Sequence, residues 1–266
     1  SQLFRFNAQL VYQSKVGLDV PRMIGAEVSI VFKRAAVETC RIYGQIEAVR
    51  DHLSVTQDFC LYDVRIVPRV FNLTQVQTFE VYLDTSVPDI VRDKLKKYGF
   101  AEGTDFAMNL TGSYDKREFV VQYRESDMQF VQRLCEHVGI AFFFEHHTGV
   151  DKIVFTDHAG GYQNIAGTGS VAFEAAGQHV DVYHLSLRTR AIPESFWCLD
   201  YDYRKPTLEL YEDHQLDKTP RGGVLDYASH FFTKGEGKSL ATIRGEELQS
   251  SQNVYELYSD EQAMAA

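Results

Sequence analysis

The sequence of 266 residues is short of basic residues and of long apolar runs. Its 27 lysines and arginines are outnumbered by 37 acidic residues, which gives a formal net charge of −10. Binding to nucleic acid requires a basic surface, so no nucleic-acid partner is expected. No apolar run approaches the roughly 20 residues that span a bilayer, and the acidic charge disfavours anionic lipid, so no stable membrane anchor is expected.

The sequence also lacks the motifs of several common sites. The four cysteines form no Cys-x-x-Cys pair, so neither a zinc site nor a redox dithiol is predicted. A nucleophile elbow, a phosphate loop and a dinucleotide fingerprint are all missing, and no internal repeat is predicted. The first residues, Ser1 to Phe6, lack the apolar stretch of a signal peptide, which predicts synthesis and folding in the cytoplasm. No cofactor is expected.

The residues that are present predict a mainly β protein with some α+β structure. Hydrophobic residues make up 44% of the chain and charged residues 24%, as in globular proteins, and 18 Phe and 15 Tyr favour strands. Residues 1–83 predict a first β-barrel-like domain, because five segments alternate in polarity with short connections. These segments are 4–10, 26–32, 40–49, 59–67 and 78–83.

Residues 84–160 change period and predict an inserted α+β domain. A first helix begins at Thr85-Ser86 and ends at Gly99, with a buried apolar stripe between. Strands are predicted over 118–123, 142–144 and 152–156, and the 100–117 segment is predicted to be a link. The glycines between Gly160 and Gly169 predict a linker. Residues 161–266 then predict a second, incomplete β-barrel-like domain with strands at 180–190, 196–202 and 254–258 and a helix at 235–252.

A second helix is marked at both ends. Ser126 and Gln129 stand where a capping box needs its two partners, and Gly139 supplies the residue that ends a helix. Val131, Leu134, Cys135 and Val138 recur on one helical face. This motif therefore predicts packing and capping rather than chemistry.

Two groups of polar residues are weak candidates for chemistry. The first is the cluster of possible metal ligands His146, His147, Asp151, Asp157 and His158. Adjacent histidines on a strand point to opposite faces, so a structural or solvated role is favoured. The second group is the carboxylate pairs Glu209 with Glu212 and Glu246 with Glu247, which a glycoside hydrolase would need to hold across a sugar. Such pairs arise by chance among 37 acidic residues, so no catalytic, cofactor or metal residue is assigned. The remaining hypothesis is that exposed strand edges bind other subunits.

The helix motif resembles the signature of the VgrG spike proteins of type VI secretion. The resemblance rests on Tyr123–Asp127, Phe130-Val131, Arg133-Leu134, Glu136, Gly139-Ile140 and Phe143–His146, with support from Tyr62–Pro68, Leu73, Phe79 and Val87–Val91 upstream and from Asp200–Pro206, Gly235–Gly237, Arg244 and Glu247-Leu248 downstream. It implies a phage-hub-like region in which two antiparallel β-barrel-like domains flank an inserted α/β domain.

The resemblance also implies a structural function and a set of partners. Three copies would form a ring that caps a hexameric tube of Hcp-type protein. Spike tip and effectors would be carried through regions beyond residue 266, and the type VI machinery would export the assembly in a virulence role. No enzymatic activity is implied. A tail baseplate hub of a contractile phage or prophage is the alternative, and a cell-wall hydrolase is a third hypothesis.

Overall fold

The computed structural model describes residues 2–14, 16–34, 36–53, 59–147, 149–162, 173, 182–216 and 222–259. These residues fall into two compact units. The first contains the described residues up to Glu136 and from Ile140 to Tyr162, and the second contains His137–Gly139 and the described residues from Phe173 to Ser259. Among the described residues, no helix has the length and apolar character needed to cross a membrane.

The first unit begins with an antiparallel sheet of four strands in the order β1-β4-β3-β2. Its elements are β1 (Phe6–Tyr12), helix α1 (Val20–Met23), β2 (Glu27–Arg34), β3 (Val37–Asp51) and β4 (Cys60–Val67). Alternate residues of β3 and β4 point inward, and Ile46, Tyr62, Val64 and Ile66 form a buried cluster.

The rest of the first unit combines helices with two small sheets. Its elements are β5 (Gln77–Thr85), α2 (Val87–Lys97), β6 (Phe106–Asn109), β7 (Arg117–Ser126), α3 (Asp127–His137), β8 (Ala141–His147) and β9 (Val150–Thr156). Strands β5 and β7 form an antiparallel ribbon, while β9 pairs antiparallel with β8 and parallel with β6.

The second unit contains one ribbon, one three-stranded sheet and one helix. Its elements are β10 (Val182–Thr189), β11 (Ser195–Asp200), β12 (Leu210–Gln215), β13 (Gly223–Tyr227), α4 (Lys234–Ser250) and β14 (Asn253–Ser259). Strand β10 pairs antiparallel with β14, and β11 pairs antiparallel with β12 and parallel with β13. Helix α4 begins with a capping box between Thr233 and Glu236 and packs on a core that includes Phe196, Cys198 and Leu240.

The structure confirms the mainly β character of the chain and corrects several details. The first four predicted strands form one sheet, but the fifth, β5, pairs with β7, and its inner face contacts α2 and, through Tyr82 on Phe130, α3. The predicted link at 100–117 contains β6, and β12 and β13 were also missed. The pair β11–β13 is parallel, although antiparallel pairing was expected in the predicted second barrel-like domain.

The division into domains 1–83, 84–160 and 161–266 stays a prediction. The predicted linker begins in a 3₁₀ turn, Ala159–Gly161, in which Gly161 is buried. Residues 163–169 of that linker lie outside the described residues.

Candidate interaction surface

The described part of the chain contains a strand–helix repeat that the sequence analysis did not predict. One half of the repeat is formed by β5 and α2, and it matches the other half, formed by β7 and α3, at a constant offset along the sequence. Phe79 matches Phe119, Ser86 matches Ser126 and Gly99 matches Gly139. Both halves of the repeat therefore contain a strand, a serine cap, a helix and a glycine stop in the same order.

Each helix of the repeat begins at its serine. The Ser126 Oγ accepts a hydrogen bond from the Gln129 N–H at 3.2 Å, and the Gln129 side chain accepts one from the Ser126 N–H at 2.9 Å. The predicted capping box is therefore confirmed. The Ser86 Oγ accepts from the Asp89 N–H at 3.4 Å and donates to the Asp89 carboxylate at 2.6 Å. Both caps satisfy backbone N–H groups that the first helical turn leaves free.

The backbone conformation is repeated on both sides of the helices. Gly99 and Gly139 have φ angles of 81° and 73°, which glycine adopts at low cost. Two residues before each serine, Asp84 and Arg124 also have positive φ, at 48° and 52°. The two halves thus share their chain path as well as their capping residues.

An approximate two-fold axis relates the halves. In the antiparallel ribbon Val81 pairs with Val121, and these two valines occupy matching positions of the repeat. The axis therefore passes between them. Both helices lie against the inner face of the ribbon, where Tyr82 stacks on Phe130 with ring centroids 5.8 Å apart.

A buried ionic cluster joins the halves on the inner face. Lys94 of α2 is fully buried, and its Nζ donates to the Asp127 carboxylate at 2.9 Å and pairs with Glu80 at 3.3 Å. Asp127 also accepts hydrogen bonds from the Tyr98 hydroxyl and the Gln122 amide, both at 2.7 Å. Because a buried charge is tolerated only when it is paired and hydrogen-bonded, these contacts fix the ribbon on the helices.

The titration of Asp127 reflects this environment. Burial by itself would raise the pKa of the Asp127 carboxyl, but hydrogen bonds from Gln122, Tyr98, Lys94 and Thr78 favour its ionised form. Together they lower the pKa to about 2. Burial and the hydrogen bond to Asp127 raise the pKa of the Tyr98 hydroxyl. The carboxylate is therefore charged, and the phenol neutral, over the physiological range.

The outer face of the ribbon is apolar and open to solvent. Five of its side chains are exposed by 45–67%, namely Phe79, Val81, Leu83, Phe119 and Tyr123. Phe79 and Tyr123 meet edge to face with ring centroids 6.0 Å apart, so the aromatic groups form one continuous patch. Contiguous apolar patches on a soluble protein mark interaction sites, whereas single exposed apolar residues do not.

The second unit has an apolar ribbon of its own, β10–β14. Leu185 pairs directly with Leu257, and Leu187 pairs with Tyr255, which places these side chains on one face. All four are exposed. A two-stranded ribbon is marginally stable in water without further packing, so an exposed apolar face here also indicates a partner.

The predicted cluster of metal ligands is divided among separate structural contacts. His146 Nδ1 accepts a hydrogen bond from the Tyr43 N–H at 3.1 Å, and His147 pairs with Glu145. Burial lowers the pKa of the His146 ring. His158 contributes its backbone carbonyl, which accepts a hydrogen bond from the Thr156 hydroxyl.

The two aspartates of that cluster also hold the fold. Asp151 forms an ion pair with Arg69, which in turn contacts Asp105 at 2.9 Å. Asp157 accepts hydrogen bonds from the Thr111 and Gly112 N–H groups and the Tyr114 hydroxyl. In the described residues no three His, Cys, Asp or Glu side chains are placed to bind a metal ion.

The candidate carboxylate pairs lie on α4 and at the start of β12. Glu246 and Glu247 lie exposed on α4, and Glu247 pairs with Arg244 one turn away. Glu212 lies on β12, whereas Glu209 precedes that strand and is exposed. The two apolar ribbons are the candidate interaction surfaces.

Comparison with known proteins identifies the family. The whole chain, residues 1–266, matches the family described as phage tail baseplate hub (GPD). This chain belongs to the phage tail baseplate hub family. The resemblance stated from the helix motif is thereby confirmed, because relatives of this baseplate hub chain include type VI spike proteins.

Two curated relatives of this hub chain come from Pseudomonas aeruginosa. The type VI secretion system spike protein VgrG1c is 25% identical over 258 residues, covering 94% of this chain and 35% of its own length. The spike protein VgrG4b is 26% identical over 98% of this chain and 32% of its own length. The hub chain thus spans about a third of the length of these relatives.

Solved structures support the same hub fold. An E. coli component of the type VI secretion system, described as similar to the T4 bacteriophage tail proteins gp27 and gp5, has a TM-score of 0.62 and 29% identity over 72% of this chain and 50% of its own. The 43 kDa tail protein of prophage MuSo2 from Shewanella oneidensis has a TM-score of 0.61 and 14% identity, over 97% of this chain and 74% of its own. The fold class predicted from the sequence is confirmed by these structures.

Proposed function

We propose that this chain is the hub region of a type VI secretion spike. Three copies form a ring that caps a hexameric tube of Hcp-type protein, and regions of the full-length protein beyond this chain carry the spike tip and effectors. The assembly is made in the bacterial cytoplasm and leaves through the type VI machinery. The role of the hub region is mechanical rather than enzymatic.

One observation supports this proposal above the others. Relatives named as type VI spike proteins match 94% and 98% of the chain, so the shared region is the hub itself and not an appended domain. A related protein of Vibrio cholerae named as an actin cross-linking toxin matches only 21% of its own length. The toxin activity in the name of that relative is therefore not transferred to this chain.

The exposed ribbons give the proposal a physical basis. Each unit of the chain leaves an apolar strand face in water, which costs free energy in a monomer and is recovered by burial in an assembly. A closed ring of identical subunits also needs at least two complementary patches on each subunit. The chain has one apolar ribbon in each unit.

The test measures assembly and tube binding with the full-length protein. We expect sedimentation to give the mass of three chains, and we expect purified Hcp rings to bind that species while an unrelated hexameric ring does not. A full-length protein that remains monomeric and ignores Hcp rings at micromolar concentration would overturn the proposal.

A baseplate hub of a contractile phage or prophage is the second candidate. The similarity in fold to the prophage tail protein favours it, although identity is only 14%. This alternative predicts a trimer that binds a phage tail-tube protein and fails to bind Hcp rings. The same two binding measurements therefore separate the alternatives.

A further inference from the structure

The outer face of β5–β7 has the size of an interface core. Its five exposed side chains leave roughly 500 Å² of apolar surface in water, near the upper limit for a monomeric protein. Stable protein interfaces bury about 800 Å² on each partner, with an apolar centre and a polar rim. The face supplies that centre, and its rim identifies the partner.

The rim of this face carries arginines at both ends of β7. Arg117 lies two residues before Phe119 and so belongs to the same face, while Arg124 stacks over the Tyr123 ring at 5.1 Å. Across the described residues, Arg117 has no hydrogen bond or ion pair through its guanidinium. Nearby Arg133 is already paired with Glu125 at 2.6 Å. A partly buried arginine beside a second cation is stabilised by a carboxylate.

The electrostatic environment of Arg117 also favours a partner with a carboxylate. Burial lowers the pKa of its guanidinium, and the charge of Arg133 lowers it further. A carboxylate on a partner would raise this pKa and so offset both effects. The complementary surface is therefore apolar at its centre and acidic at its margin.

The chain itself offers such a surface. Its formal charge is −10, with 37 acidic residues, so a second copy has carboxylates in excess that can pair with Arg117. Ribbon β10–β14 gives each copy another exposed apolar strand face. Contacts that close a ring pair two different patches of neighbouring copies.

We propose that the outer face of β5–β7 packs against a second copy of this chain, whose carboxylate faces Arg117. This inference rests on the proposed trimer and adds the face that makes the contact. The outer face of β5–β7 then contacts another copy of the chain and does not bind a tube protein or an effector.

Photo-cross-linking locates the contact. The full-length protein is prepared with benzoyl-phenylalanine in place of Phe119, mixed with isotope-labelled protein, reassembled and irradiated. We expect cross-linked peptides that join a labelled chain to an unlabelled chain. Cross-links confined within one chain, in a sample that sediments as a trimer, would overturn the inference and leave the proposed function standing.

Charge substitutions test the same face by a second measurement. Val81→Glu and Arg117→Glu are expected to weaken self-association roughly tenfold or more, whereas Arg117→Lys keeps most of it. Gln249→Glu, on the exposed side of α4, adds the same charge as Val81→Glu and should leave the trimer intact. Circular dichroism confirms that each variant folds, which is expected because Val81 is exposed on a strand face.

The outcomes separate the two proposals. Trimers that survive Val81→Glu and Arg117→Glu unchanged would overturn the assignment of this face. A wild-type protein that never assembles would overturn the trimer itself. Dissociation by the two face variants, with Gln249→Glu still trimeric, supports both.

Discussion

Position 94 in the first half of the repeat holds a lysine, and the matching position in the second half holds Leu134. Conversely, Val87 opens α2 where Asp127 opens α3. Lys94 and Asp127 are each matched by an apolar residue in the other half, and they contact each other, because the Lys94 Nζ donates a hydrogen bond to the Asp127 carboxylate. The comparison shows that both halves have the same caps and glycine stops, whereas their shared core is asymmetric. A single buried pair then favours one arrangement of the two helices.

The largest expected effect comes from making the halves alike. Asp127→Val copies Val87 and leaves Lys94 buried with only Glu80 as a carboxylate neighbour. We expect the free energy of unfolding to fall by about 3 kcal/mol, measured by urea denaturation. Adding Lys94→Leu, which copies Leu134, should restore part of that loss because the buried charge is gone. A double variant less stable than the single one would show that the pair is not the source of the asymmetry.

Acid should weaken the same junction to a smaller extent. The pKa of Asp127 is about 2 in the folded protein, below its ordinary value of 3.8, so its ionisation stabilises the fold above pH 4. That contribution is lost as the pH falls from about 4 to 2. Comparing urea denaturation of the wild type with that of Asp127→Asn should give a stability difference that is constant above pH 4 and shrinks below it. A difference independent of pH would contradict the assignment.

Both helix stops should respond, with the larger loss at Gly139, where an added Cβ would lie 3.3 Å from the Ile243 side chain, whereas at Gly99 it would meet open space. Gly99→Val and Gly139→Val force a β-branched residue to a positive φ, which we expect to cost about 1–2 kcal/mol each in thermal or urea unfolding. Asparagine tolerates this conformation better, so Gly99→Asn and Gly139→Asn serve as controls. Unchanged stability in either valine variant would show that the helix ends elsewhere.

The caps give the smallest expected difference. Ser86→Ala and Ser126→Ala should each cost about 1 kcal/mol, because a backbone N–H of the first turn loses its acceptor. We expect the larger loss at Ser86, whose hydroxyl also donates to the Asp89 carboxylate, whereas the Ser126 N–H keeps its bond to the Gln129 side chain in the alanine variant. Parallel urea titrations of both variants measure this order, and a larger loss at Ser126 would contradict it.

Much of the local structure could be predicted because its signals lie within a few residues. The capping pair at Ser126 and Gln129, the stop at Gly139 and the apolar helical stripe all lead to α3 as expected. The short strand β6 was missed because its four residues give too little alternation to recognise. Its parallel partner, β9, lies far away in the sequence.

The candidate surface was harder to foresee. Phe79 and Tyr123 were noted as parts of a family motif, and strand edges were expected to meet other subunits. The structure exposes whole strand faces. The alternation of apolar and polar residues along a strand does not show whether other parts of the chain cover its apolar face. The repeat is not evident in the sequence, because few of its matched residues are identical. Its symmetry is visible in the backbone angles and the strand pairing.

The sequence by itself determined where α2 and α3 begin and end, because caps, glycine stops and apolar spacing act within one or two turns. It also determined the family, through a motif spread over those same residues. Only the tertiary structure decided that β5 leaves the first sheet to pair with β7, that Lys94 meets Asp127, and that an apolar face remains in water. These features depend on contacts between distant segments, whose free energies are settled together when the chain packs.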